Sequence, residues 1–424
     1  MRADATVTLD RVAPEDGSAR QGAPAPLRPV AETGVLVLCT GYRAGPWAMR
    51  SLRSAGYRVV GAHHEGICTG GRSRACPRPR RYPSPTADPE GFIQAVAAIC
   101  ASERISVVLP ASEDTARVMA ERRPDLGGAV VVGPDRDAYA ALCDKGRLAA
   151  TAALAGVDHP RTVVVGMDGP DGPWPELPNV VKPRISGEDI GGLPAAVYVR
   201  TPEERDAAIE ALIAVGNEAV VQEELVGQRW VGQSVRDADG SLDIVASRID
   251  RDYPRSAGVA SVMRTVAEPP AELVDGIRRL LDLADYRGPS TISLIATGDR
   301  WAVHDVNLRL GSSVALVMRS GLDMPRRAVE VALGAPAHPA GPCRPTTYVR
   351  LDGELGATTD ALRGRGEGDP ARRAFGHVAS ALTSRDAIVD PSPFDPFWLA
   401  NLAGGCALQP VVRGVRALRR RGRS

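Results

Sequence analysis

Apolar residues run unbroken through 35–38 and recur at helical period through 47–55, a strand-like segment follows at 57–61 with Tyr57, Val59 and Val60, and a glycine-bearing turn lies at 40–45. That order predicts strand, helix and strand, a βαβ opening. Segments 92–102, 105–110, 115–122 and 129–133 continue as helix, strand, helix and strand. The first 140 residues therefore read as one small doubly wound domain, whose ligands would sit at the carboxyl ends of its strands. Ser112, Glu113 and Asp114 fall at such an end, although a solvated helix N-terminus accounts for two acids equally well. His63 and His64 end another strand. Neighbours in an extended chain leave on opposite faces, so the pair is not expected to ligate one ion easily. Gly41 and Gly45 do not complete G-x-G-x-x-G, and Glu65 comes behind the histidine pair, so a dinucleotide site is disfavoured.

From 137 to 155 the pattern is helical and carries Asp144-Lys145-Gly146. A strand at 180–183 (VVKP) leads into a loop with Gly187, Gly191 and Gly192, whose amides could cover phosphates. Residues 219–226 read as a strand breaking at Gly227. Further on, 291–296 and 301–306 read as strands joined by the tight turn 297–300, a hairpin. Period-two alternation puts Asp305, Asn307 and Arg309 on one face and His304 on the other, packed. A carboxylate and an amide oxygen are hard ligands suited to magnesium, and a guanidinium can stabilise a transferring phosphoryl group. A solvated strand face is the plain alternative for the triplet.

Composition narrows the classes. The 424 residues are 44% hydrophobic and 24% charged, which fits a soluble globular protein, and net charge +1 supplies no field for gathering nucleic acid. With 44 glycines and 35 prolines the chain suits a loop-rich α/β protein better than a helical bundle. Seven cysteines without a C-x-x-C pair indicate neither a disulfide framework nor a zinc ribbon. Of the 52 basic residues only Lys145 and Lys182 are lysine, leaving 50 arginines. A bias toward arginine can replace solvated lysines, but not one whose compact ammonium must reach a phosphate between other groups. Chance survival is the alternative for each lysine taken alone.

Taken in order, these motifs resemble the ATP-grasp superfamily, in the group related to carbamoyl phosphate synthetase and the carboxylate-amine ligases, over about 35–334. The resemblance implies that Lys145, in the DK pair, and Lys182, in VVKP, hold nucleotide phosphates, and that Gly187 belongs to the phosphate-covering loop. It matches Gln222-Glu223-Glu224-Leu225-Val226-Gly227 to the hinge that meets adenine, with Glu223 near the exocyclic amine and the Leu225 amide near the ring nitrogen. Asp305-Val306-Asn307-Leu308-Arg309 matches E-x-N-P-R, implying Asp305 and Asn307 as magnesium ligands and Arg309 as a catalytic cation. Arg255 and Arg264 resemble a segment beside phosphate and substrate, and Glu113 is a further substrate candidate. Three departures stand out: Ser293 replaces the usual second acidic or Gln ligand, Glu188 and Asp189 put acids in the glycine loop, and Leu308 replaces proline.

The expected architecture is α/β: a disordered arm over 1–33, a Rossmann-like pre-ATP-grasp domain over 34–140, and a two-lobed ATP-grasp domain over 141–334. The nucleotide lobe would extend to about 226 and the metal and phosphate lobe would follow it. Residues 335–424 would form a C-terminal extension with a basic tail. The expected activity is ATP- and Mg2+-dependent ligation of a carboxylate to an amine, with amino acids the default substrates and a thiol or ammonia acceptor left open. An impaired nucleotide-binding sensor or scaffold is the alternative class. No secretory segment or transmembrane helix is expected, which favours a cytoplasmic protein, and a homodimer is left open. Phe397, Trp398 and Leu399 ahead of six arginines from Arg413 onward leave peripheral membrane contact as a minor alternative to a solvated helix end.

Overall fold

The computed structural model describes residues 30–64, 73–76, 78–187, 193–254, 259–338 and 340–363, with 376–377, 379, 384 and 386–390 near the C-terminus. Glu65, Glu188, Asp189, Gly191, Gly192 and Arg255, most of the N-terminal arm and the basic tail lie outside the described residues.

The opening unit contains β1 (Gly34–Leu38), α1 (Ala44–Ser54), β2 (Arg58–His64), β3 (Arg80–Tyr82), α2 (Pro89–Ser102), β4 (Val107–Pro110), α3 (Glu113–Arg122) and β5 (Val130–Val131). Its strands pair in parallel in the order β3-β2-β1-β4-β5, so the order reverses between β1 and β4. That reversal opens a crevice above the carboxyl ends of β1 and β4. β1 is buried along its whole length, as its unbroken apolar run requires when helices cover both faces.

The helical stretch expected over 137–155 is two helices, α4 (Arg136–Leu142) and α5 (Lys145–Leu154). The break lies at Asp144, whose Oδ1 accepts from the Gly146 amide at 2.9 Å and caps α5. Asp144 sits in extended backbone, the conformation of an N-cap residue, so the helical run is interrupted there and restarts at Lys145. Lys145 thereby becomes the first residue of its own helix.

The second sheet is antiparallel, ordered β7 (Gly169–Pro170), β6 (Thr162–Gly166), β10 (Ala219–Glu223), β8 (Asn179–Pro183) and β9 (Val197–Val199). Helix α6 (Pro202–Ile213) covers it through Ile209 and Leu212, which pack with Val163, Val181 and Val221.

The third sheet has seven strands, and β11 (Gln228–Arg236), β12 (Leu242–Tyr253), β13 (Val259–Thr265), β14 (Gly288–Thr297) and β15 (Arg300–Asn307) form its antiparallel body. α7 (Ala271–Leu283) lays Leu273, Ile277 and Leu280 against it, in one core with Leu148 and Ala152 of α5. α8 (Val314–Arg319) and α9 (Met324–Leu333) share a second core with β1, α1 and β4, which ties the opening unit to this sheet. Past them, β16 (Thr347–Arg350) pairs with β13, α10 (Leu351–Leu362) follows, and β17 (Ala387–Asp390) pairs with β16. The C-terminal strands are thus part of the third sheet. Asp390 accepts from Tyr348 Oη at 2.8 Å and from Trp47 Nε1 at 3.1 Å, fastening α1 to that edge.

One irregularity matters for the site. β14 and β15 pair regularly from Thr291 opposite Asn307 to Ser293 opposite Asp305, and then Leu294 pairs with Val303. His304 is an extra residue, a β-bulge. The alternation that put His304 on the core face fails there, because a bulged strand no longer alternates through the bulge. Among the described residues, no helix is long and apolar enough to cross a membrane.

Candidate active site

A cleft of about 480 Å³ is lined by β8, β10, β11, β14 and β15, with Tyr42 and Glu113 from the opening unit. This falls within the range of about 300–1,000 Å³ usual for small-molecule sites. Both lysines of the chain reach it.

Asp144 carries Lys145 into position. Its carboxylate accepts from Arg184 Nε and Nη2, each at 2.9 Å, and the Lys145 amide donates to the Arg184 carbonyl at 3.2 Å. The α5 N-terminus is thereby pinned to the chain leaving β8. The Lys145 ammonium donates to Ser186 Oγ and lies 3.5 Å from Asp305 Oδ1. Lys182, on β8, donates to Gln222 Oε1 at 2.8 Å, and Gln222 Nε2 in turn donates to Thr162 Oγ1 at 3.1 Å. Lys182 Nζ also lies 3.4 Å from both Nδ1 and the carbonyl oxygen of His304. His304 therefore lines the cleft, correcting its expected place in the core, and the bulge is the cause.

The charges are arranged in advance. Burial lowers Lys182 to about 8, against the opposing pull of Asp305. Burial and the adjacent Lys182 charge hold the His304 imidazole neutral. Burial alone would raise Asp305, but Lys145 and Lys182 outweigh it and hold the carboxylate well below its usual range. Asn307 Nδ2 donates to Asp305 Oδ2 at 2.8 Å, and its side-chain oxygen accepts from Arg309 Nη2 at 3.1 Å. Arg309 donates through Nε to Glu113 Oε2 at 2.9 Å, and its guanidinium stacks over the Tyr42 ring at 5.3 Å. Glu113 accepts from Tyr139 Oη at 2.8 Å and is only 5% exposed. The solvated-terminus reading of Glu113 and Asp114 is thus overturned: both are buried behind the Ser112–Thr115 capping box.

At the other end, Glu223, Glu224 and Leu225 line the cleft beside Val180 and Ile295, and the Glu224 amide donates to the Pro178 carbonyl at 3.1 Å. Gly227 closes this hinge, where a β-carbon would collide with the Ala296 carbonyl oxygen. Gly187 also lines the cleft. Ser293 faces Asp305 across the hairpin and lines it too. Asp305, Asn307 and the Ser293 hydroxyl form a donor set of oxygens with one full negative charge, which fits magnesium and would not hold a soft ion.

Arg264 is not brought here. It is exposed and paired with Asp250 at 2.9 Å, on the opposite face of β13 from Met263, which lines the cleft. Tyr42, Arg229, Ser186 and His304 are among the lining residues that the sequence reading did not place here. Arg229 follows two residues after Gly227 and pairs with Asp252, yet among 50 arginines it carried no distinguishing signal. The histidine pair also departs from expectation. The His63 and His64 rings lie with centroids 4.5 Å apart. At the carboxyl end of β2 the two imidazoles fold over the end of the strand instead of staying on opposite faces.

No family model matches the sequence, and no curated protein matches it. Solved structures match in fold. An L-amino acid ligase from Bacillus licheniformis is 16% identical, with a TM-score of 0.56 over 71% of this chain and 74% of that one. N5-carboxyaminoimidazole synthetase from Staphylococcus aureus, complexed with ADP, is 13% identical, with a TM-score of 0.59 over 78% and 86%. Biotin carboxylase from Campylobacter jejuni, in a nucleotide complex, is 13% identical, with a TM-score of 0.57 over 74% of each chain. Together with the parallel opening sheet and the cleft between the two later sheets, these likenesses identify the architecture: the chain has the ATP-grasp fold.

Proposed function

We propose that the protein is an ATP-dependent carboxylate-amine ligase. The observation that carries this reading is the convergence of Lys145, Lys182, Asp305, Asn307 and Arg309, from three separate parts of the chain, on one cleft. ATP would lie with adenine against Glu223, Glu224 and Leu225 and with its phosphates between the lysines, under the loop that begins at Gly187. Lys182 and Arg309 would neutralise charge as the terminal phosphoryl group passes to a substrate carboxylate, giving ADP and an acyl phosphate. An amine would then displace phosphate and form an amide. Asp305 and Asn307 would hold Mg2+, which supplies charge neutralisation at the phosphate oxygens. No protein nucleophile is needed, because positioning and electrostatics carry both steps. Amino acids are the proposed substrate class, with support from the amino acid ligase among the similar folds.

The test is release of ADP and phosphate with Mg2+ and ATP across a panel of amino acids and small carboxylates. Substrate-dependent ADP that disappears in Lys182→Ala and Asp305→Ala is the expected result. Tight ATP binding by calorimetry with no turnover on any panel member would favour a nucleotide sensor instead. Failure to bind ATP would sink both.

A further inference from the structure

The carboxyl ends of β1 and β2 hold a second group of ligating side chains, outside the cleft and independent of the ligase reading. Cys39 follows β1, and His63 and His64 end β2, so parallel pairing brings all three to the same sheet end. One donor atom from each, the Cys39 sulfur and a ring nitrogen of either histidine, lies within 4.8 Å of the others. Around a zinc ion, with sulfur about 2.3 Å and nitrogen about 2.0 Å from the metal, tetrahedral donors sit roughly 3.3–3.5 Å apart. Closing the group around an ion thus needs only small side-chain rotations.

Three independent features point the same way. Cys39 has φ +56°, a left-handed conformation that a side-chain-bearing residue adopts at a cost of about 1 kcal/mol and that tends to be kept at functional positions. The turn it opens is closed by the Tyr42 amide donating to the Cys39 carbonyl at 2.9 Å, and the Cys39 amide donates to Tyr82 Oη at 2.8 Å, so this backbone is firmly held. His63 is 7% exposed, and its Nδ1 is a buried polar atom with no hydrogen-bond partner among the described residues. Such an atom is costly unless something occupies it. Gly41 makes room for the ring, since a β-carbon there would lie 2.7 Å from His63 Cε1.

We propose that Cys39, His63 and His64 supply three ligands of a site for a borderline-soft divalent ion of the zinc type. One thiolate and two imidazoles select such an ion over magnesium. Binding would displace the Cys39 thiol proton to solvent. The ion would lie beside the cleft, because Tyr42, three residues along the same turn, lines it.

The probe is Co2+, titrated into the full-length, metal-free protein without nucleotide. We expect one equivalent to give the thiolate-to-cobalt charge-transfer band and the intense visible bands of a tetrahedral centre. Cys39→Ser should remove the charge-transfer band. His64→Gln, at a half-buried position where folding is least at risk, should weaken binding by about tenfold or more. Co2+ held by the oxygen donors at Asp305 gives no thiolate band, so failure here and failure of the ligase reading are separable. Absence of the band in the wild type, or its persistence in correctly folded Cys39→Ser, would overturn the proposal.

Discussion

The guanidinium of Arg309 donates to the carboxylate of Glu113 across 2.9 Å, joining the end of the third sheet to the first turn of α3 over 196 residues of sequence. Both side chains are largely buried, and Tyr139 supplies the second bond to the acid. Removing one partner of a buried pair strands the other charge, so Glu113→Ala should lower stability by about 3–5 kcal/mol in denaturant titration. Glu113→Gln keeps the shape and should fold, yet turn over on the order of ten times more slowly because Arg309 loses its orienting charge. A Gln variant with unchanged turnover would show that Arg309 needs no such anchor.

Lys182 gives a pH signature. Burial holds it at about 8, against an ordinary 10.5. Phosphate oxygens beside the ammonium favour its charged form, so ATP binding near pH 8 should take up protons, and affinity should fall as pH rises beyond that value. Calorimetry in two buffers of different ionisation enthalpy measures the uptake, and Lys182→Met should abolish it. Without nucleotide the sign also follows for stability: between about pH 8 and 10.5 the folded state has shed this proton while the unfolded chain still holds it. Stability therefore rises across that window and is lost as pH falls back through 8.

Ser293 faces Asp305 across the hairpin. Ser293→Asp adds a hard, charged ligand next to the existing one, and should lower the Mg2+ concentration needed for half-maximal turnover. Asp305→Asn should reduce turnover by on the order of 10²–10³-fold. If both variants show the wild-type Mg2+ dependence, the metal is held elsewhere.

Asp144 is a structural prerequisite for Lys145. It caps α5 and takes both Arg184 bonds, and Asp144→Ala removes all three. The cap alone is worth about 1 kcal/mol. The variant should melt earlier and bind ATP more weakly, although Asp144 itself need not touch the nucleotide. Unchanged ATP affinity alongside a lowered Tm would separate the cap from the phosphate site.

How much of this was legible from the chain depends on how local each cause is. Lys145 and Lys182 stood out because lysine is absent everywhere else, and the hairpin carrying Asp305 and Asn307 was visible in its alternation and turn. The Asp144 break was hidden because apolar periodicity runs through it, and a single cap leaves no mark on a period. The Glu113–Arg309 pair was hidden because its partners meet only after the opening unit docks through α8 and α9. His304 was misplaced because alternation assumes one residue per pleat, and the histidine pair because alternation says little about side chains that reach past a strand's end.

The bulge at His304 also makes the cleft strand tolerant of a particular edit. Val303 and Asp305 already pair with consecutive residues of β14, so excising residue 304 would leave a regular ladder with the core valine and the cleft carboxylate both in place. Shortening the chain by one elsewhere in β15 would swap inside for outside along the remainder of the strand. A single-codon deletion at this position is therefore frame-silent for the architecture. It would remove only the imidazole and carbonyl that neighbour Lys182, making it a sharper instrument than any substitution for asking what that neighbour contributes.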